Sequence, residues 1–130
     1  MVGIRLAARA SVTWFGAVAT GAAASEDSEP VVVTVAGSTG ALPGTGAATV
    51  KVTPYREYPP KGRATGGVRC HRFLKGEDTL VLAWAGPGPA RGATGAGVPV
   101  NLPAADGRRD GSGNRIRQPL TALGGLAPAV

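Results

Sequence analysis

The chain has a single cysteine, Cys70, and a single histidine, His71, in 130 residues. One cysteine excludes any disulfide within the chain, and one His with one Cys falls short of the ligand set of a structural zinc or a blue-copper centre. Aromatic side chains are nearly as scarce. Trp14, Phe15, Tyr55, Tyr58, Phe73 and Trp84 are all of them, and none follows Trp84. The 15-residue uncharged stretch at 10–24 is too short and too polar for a membrane-spanning helix, which needs ~20 mainly apolar residues, so no transmembrane span is expected. The G-x-S-x-G elbow of serine hydrolases is missing, and so are the Walker and dinucleotide-binding glycine motifs; GATGAG (92–97) lacks the Lys-Ser/Thr that a phosphate loop requires. Without these sets there is no residue constellation for an enzyme, and no cofactor is expected.

What is present is alanine, glycine, proline and arginine, together 66 of the 130 residues, with eleven arginines against three lysines. All four residues have GC-rich codons. The bias therefore carries less functional information than its size suggests, and it also suits a marginally selected open reading frame with no defined function. That alternative stands beside the functional ones below.

The first 24 residues hold no acid and two arginines, Arg5 and Arg9, followed by the 15-residue uncharged stretch ASVTWFGAVATGAAA. A positive end before an apolar segment is the order of an export signal. Ala22 and Ala24 place small side chains at the minus-three and minus-one positions before Ser25. Residues 25–29, Ser-Glu-Asp-Ser-Glu, then form an acidic start to the mature chain. The expectation is an export signal over 1–24, a secreted or cell-envelope protein, and a mature net charge of +4 from twelve basic and eight acidic residues. Ser11, Thr13, Gly16, Thr20 and Gly21 dilute the apolar segment. An organelle-targeting peptide, or an uncut helix in a cytoplasmic protein, are the alternatives.

From residue 30 the pattern turns to strands. VVVTVA (31–36) is β-branched almost throughout, and TVKVT (49–53) alternates, with Val50 and Val52 on one face and Thr49, Lys51 and Thr53 on the other. They predict a hairpin with a long connection. VRCHRFL (68–74) and TLVLAWA (79–85) predict a second, closed by KGED, where Gly76 can take a positive φ. Leu80, Leu82 and Trp84 on one face, with Val81, Ala83 and Ala85 on the other, predict that 79–85 is the most central strand.

Residues 86–130 hold ten glycines and six prolines in 45, above the ~25–30% at which aperiodic Gly and Pro imply disorder. Within them VPVNL (98–102) is a candidate edge strand and LTALGGLA (120–127) a candidate frayed helical turn. The fold class expected is mainly β: a small four-stranded antiparallel kernel of two hairpins over 30–85, with a long disordered, basic C-terminal tail over 86–130.

Cys70 lies beside His71 and between Arg69 and Arg72, a setting that can activate a thiol. In a strand, however, neighbouring side chains point to opposite faces, so His71 cannot reach the Cys70 sulfur locally. Cys70 reads first as a small buried hydrophobe. A reactive thiol, or an intermolecular disulfide in an oxidising compartment, is the sharper reading. DGSGN (110–114) spaces oxygen ligands like a calcium loop, but Arg115 stands where glycine is needed and Thr121 where glutamate is needed, so it predicts a turn. LPGTG (42–46) matches the sortase pattern without the hydrophobic span and basic tail that must follow it.

Arg108, Arg109, Arg115 and Arg117 cluster in GRRDGSGNRIRQP and are the candidate polyanion contacts. The functional expectation is a small exported binding protein without catalytic activity, holding weakly to an acidic partner: a cell-wall polymer, anionic lipid headgroups or an acidic protein surface. The alternative is an intracellular basic protein that touches nucleic acid.

Overall fold

A computed structural model of the chain describes residue 8, residues 11–14, 16, 30–38, 48–59, 67–87, 89–105, 108, 110–116 and 120–124. The expected signal and acidic start over 1–29 lie almost wholly outside the described residues, as do LPGTG, Arg109 and Arg117. Among the described residues no helix is long and apolar enough to cross a membrane.

The fold is mainly β and antiparallel. The strands are β1 (Pro30–Gly37), β2 (Ala48–Pro54), β3 (Thr79–Pro87), β4 (Arg91–Ala93), β5 (Pro99–Val100), β6 (Asn114–Ile116) and β7 (Ala122–Gly124), with a 3-10 turn at Tyr55–Glu57 after β2. They form a four-stranded sheet in the order β3-β1-β2-β6 and a three-stranded sheet in the order β5-β4-β7. β1 and β2 are the expected hairpin, with Val33 opposite Val52 and Val35 opposite Val50.

The valines of β1 and β2 place one face of the larger sheet in the core. Val31, Val33, Val35, Val50 and Val52 cluster there with Val100 and Leu120, and Leu82, Trp84, Leu102, Ile116 and Leu123 pack against them. Val100 and Leu123 come from the smaller sheet, which covers this face. Two-sheet packing of this kind is the usual way a half-apolar sheet removes its face from water.

Three particulars differ from the sequence reading. Residues 68–74 belong to no ladder, so the second hairpin does not form. Leu74 to Glu77 does make the expected tight turn, with the Glu77 N–H on Leu74 O at 2.9 Å and Gly76 at φ 92°, as a type II turn requires. The chain then leaves that direction, since the Asp78 N–H donates to Gly37 O at 2.9 Å and β3 runs antiparallel to β1 from Thr79 onward. β3 is therefore an edge of its sheet, and β1 and β2 are the central strands.

The third difference lies after residue 86, where the expectation was a tail without order. β6 takes the fourth place in the larger sheet through Ala48↔Ile116, Thr49↔Arg115 and Val50↔Asn114. β5, at the expected edge strand, pairs with β4. Ala122–Gly124, in the stretch expected to be a helical turn, is a strand on the other side of β4. These pieces are two or three residues long. They are ordered by partners distant in sequence and not by a periodic pattern of their own. Residues 125–130 lie outside the described residues.

Candidate functional site

The second face of the larger sheet carries the polar half of the alternation. Thr34 pairs with Lys51 and Val32 with Thr53, and Thr34, Thr49, Lys51 and Thr53 are all buried. Thr34 and Thr49 meet His71 and Glu77 of the segment 67–78, and Lys51 meets the carbonyls of Arg108 and Gly111.

His71 points inward from that segment and is 5% exposed. Its Nδ1 lies 2.9 Å from Thr34 Oγ1 and its Nε2 3.1 Å from Thr49 Oγ1. Thr49 gives its one proton to Glu77 Oε2 at 2.6 Å, so toward Nε2 it can only accept. The proton of the neutral ring is thus on Nε2, and Nδ1 accepts from Thr34. The result is a directed chain from Thr34 through His71 and Thr49 to the Glu77 carboxylate. Glu77 also accepts the Leu74 N–H on Oε1 at 2.6 Å, which ties the chain to the turn.

Burial lowers the proton affinity of His71 below its ordinary value, the nearby Lys51 charge lowers it further, and Glu77 opposes them. The ring is therefore held neutral. Lys51, 3% exposed, donates from Nζ to the carbonyls of Arg108 at 2.8 Å and Gly111 at 3.2 Å. Those bonds, with the Gly111 N–H on Arg108 O at 3.0 Å, hold a turn that closes at Gly111, overlapping only the first two residues of DGSGN. Gly113 then approaches β2 so closely that a Cβ there would lie 2.8 Å from the carbonyl carbon and oxygen of Val50.

Arg72 joins the two covering segments, since its N–H donates to Gly111 O at 2.8 Å. Both segments carry exposed arginines. Arg69 and Arg72 on the first segment, and Arg108 and Arg115 on the second, are all exposed. Arg115 lies opposite Thr49 in the β2–β6 ladder, and directly opposed residues of a ladder share a face. Arg108 and Arg115 are two of the four arginines singled out from sequence. Arg69 and Arg72 were missed as contacts, because nothing local connects residue 72 with residue 111.

Beside this rim is an open cleft of about 680 Å³ lined in part by Arg69, Cys70, His71, Arg72, Phe73 and Leu80. Phe73 is 43% exposed and packs at a 42° tilt to His71, with ring centroids 6.2 Å apart. Cys70 is half-buried and has no disulfide partner. Burial pushes its thiol above the ordinary range, opposed by Lys51 and a backbone hydrogen bond, which is the reverse of the shift that activates a thiolate. The shared chemistry of the site is cationic and aromatic, with both ring nitrogens of its histidine already engaged. No protein family, curated protein or solved structure matches the chain.

Proposed function

We propose that the chain is a small binding domain, and not a catalyst, that holds an acidic polymer or acidic protein surface against the rim formed by Arg69, Arg72, Arg108 and Arg115. The observation that carries this reading is the 2.8 Å bond from the Arg72 N–H to Gly111 O, which fastens two arginine-bearing segments side by side. Binding by charge alone is weak and reversed by salt, because affinity comes from released counterions. The engagement of both His71 nitrogens with buried threonines supports a non-catalytic role, since a general base must present a free lone pair to substrate.

The uncharged stretch after Arg5 and Arg9 and the Ala22-x-Ala24 ending support export, with Ser25 as the mature start. An intracellular protein bound to nucleic acid is the second reading, favoured by the aromatic ring of Phe73 beside the arginines. N-terminal sequencing of the natively expressed protein decides the compartment: a chain beginning at Ser25 supports export, and an intact chain in the cytosol contradicts it.

The binding reading is tested by titrating labelled duplex DNA and an anionic cell-wall polymer across a salt series. Each phosphate neutralised on duplex DNA contributes about −0.9 to the log–log salt slope, so three or four contacts give roughly −3. A shallow slope of that order supports the reading. Failure to bind even at low salt contradicts it.

A further inference from the structure

We infer that the cleft beside Phe73 seats an unpaired base of a single-stranded nucleic acid, with the neighbouring phosphates lying along Arg72, Arg108 and Arg115. This rests on the polyanion reading above and narrows its ligand class. A phenyl ring 43% exposed at the mouth of an open cleft of about 680 Å³ is a surface for a flat apolar group, and cleft volumes of several hundred Å³ suit small aromatic ligands. Leu80 adds an apolar wall and Arg69 and Arg72 add cations in the same cleft. The ligand class that repeats a flat ring and an anion in every unit is nucleic acid, and base–aromatic stacking with a basic track is how single strands are held.

The competing acidic partners each lack a part. Carboxylate and phosphate polymers of the cell wall supply charge without a planar ring, and poly-glutamate does the same. Duplex DNA keeps its bases stacked inside, out of reach of a ring on the protein surface. The site also says something about selectivity. His71 turns both nitrogens to Thr34 and Thr49 and offers neither to a base edge, so what the site presents to a base is chiefly the face of the Phe73 ring. The contact is therefore tolerant of base identity.

The test uses the full chain and fluorescence anisotropy with labelled oligo-dT and an abasic oligomer of the same length and charge, beside a DNA duplex and poly-glutamate. Oligo-dT is expected to bind about tenfold more tightly than the abasic strand, the lower part of the range for one base–aromatic stack. Phe73→Ala should remove that difference and leave abasic binding unchanged, while Phe73→Tyr should keep most of it. Circular dichroism checks that both variants fold. Equal, salt-sensitive binding of oligo-dT and abasic strand, indifferent to Phe73→Ala, overturns the base seat while leaving the polyanion reading intact. Duplex or poly-glutamate binding as tightly as oligo-dT overturns it as well. No binding of any probe at low salt overturns both.

Discussion

The two faces of the larger sheet are built from the same two strands and are held in opposite ways. On one face Val33 and Val35 of β1 meet Val52 and Val50 of β2, and the smaller sheet closes over them. One residue along, Thr34 faces Lys51, and the cover is made by hydrogen bonds from Thr34 to His71 and from Lys51 to the carbonyls of Arg108 and Gly111. Apolar burial is non-directional and tolerates adjustment. A buried polar group is costly unless each partner is in place. The valine face therefore supplies stability, and the threonine–lysine face supplies position. It is the positioning face that brings the exposed arginines together.

Substitution on either side of that boundary separates the two roles. The largest loss is expected from Val33→Ala, which empties a fully buried site and should cost about 2–3 kcal/mol in denaturant unfolding. A loss below ~1 kcal/mol would mean that the two sheets collapse readily onto the gap. Thr34→Val keeps the volume but leaves Nδ1 of His71 without a donor, and about 1–2 kcal/mol of destabilisation is expected. Thr53→Val makes the same exchange on the same face and should be neutral or slightly stabilising. The Thr53 hydroxyl is buried with no hydrogen-bond partner among the described residues, so equal losses for the two variants would refute the assigned chain.

Acid should act on the positioning face alone. His71 binds a proton less readily in the folded chain than in the unfolded one, where it titrates near 6.5. Below that pH the unfolded state takes up more protons, so the contribution of His71 is complete above about pH 6.5 and is lost as pH falls through the lower folded value. Unfolding curves between pH 7.5 and pH 5 should show this fall in the parent chain and lose most of it in His71→Gln. A fall of the same size in the variant would place the titration elsewhere.

The same contrast explains what could be read in advance. TVKVT declares its two faces in five residues, and the structure places Val50 and Val52 in the core and Thr49, Lys51 and Thr53 opposite. VRCHRFL shows no such alternation: Cys70 is half-buried beside the buried His71, and Arg72 and Phe73 are both exposed, as suits a segment laid across a sheet face and not paired within the sheet. In β3, Leu82 and Trp84 pack against the core while Val81 on the other face is exposed, so apolar residues on both faces did not mark a central strand. Of β4 to β7 only β5 fell in an expected strand, VPVNL, because strands of two or three residues are too short for a period. Gly113 illustrates the point: its need to lack a side chain comes from Val50, far away in sequence. The arginines at 108 and 115 were legible as charge, but their convergence with Arg72 depends on the bond to Gly111.

Gly113→Ala provides the most direct measurement of whether the cationic rim is an assembled surface. The substitution changes no charge, yet its Cβ would press on the Val50 backbone and push Arg115 away from β2 while Arg72 stays in place. Salt-dependent titration of oligo-dT against the parent and the variant, both confirmed folded by circular dichroism, compares the two arrangements of the same charges. An assembled surface predicts weaker binding by several fold and a shallower salt slope in the variant, since fewer phosphates are contacted at once. Identical affinity and slope would show that the arginines act as independent charges and would contradict the account.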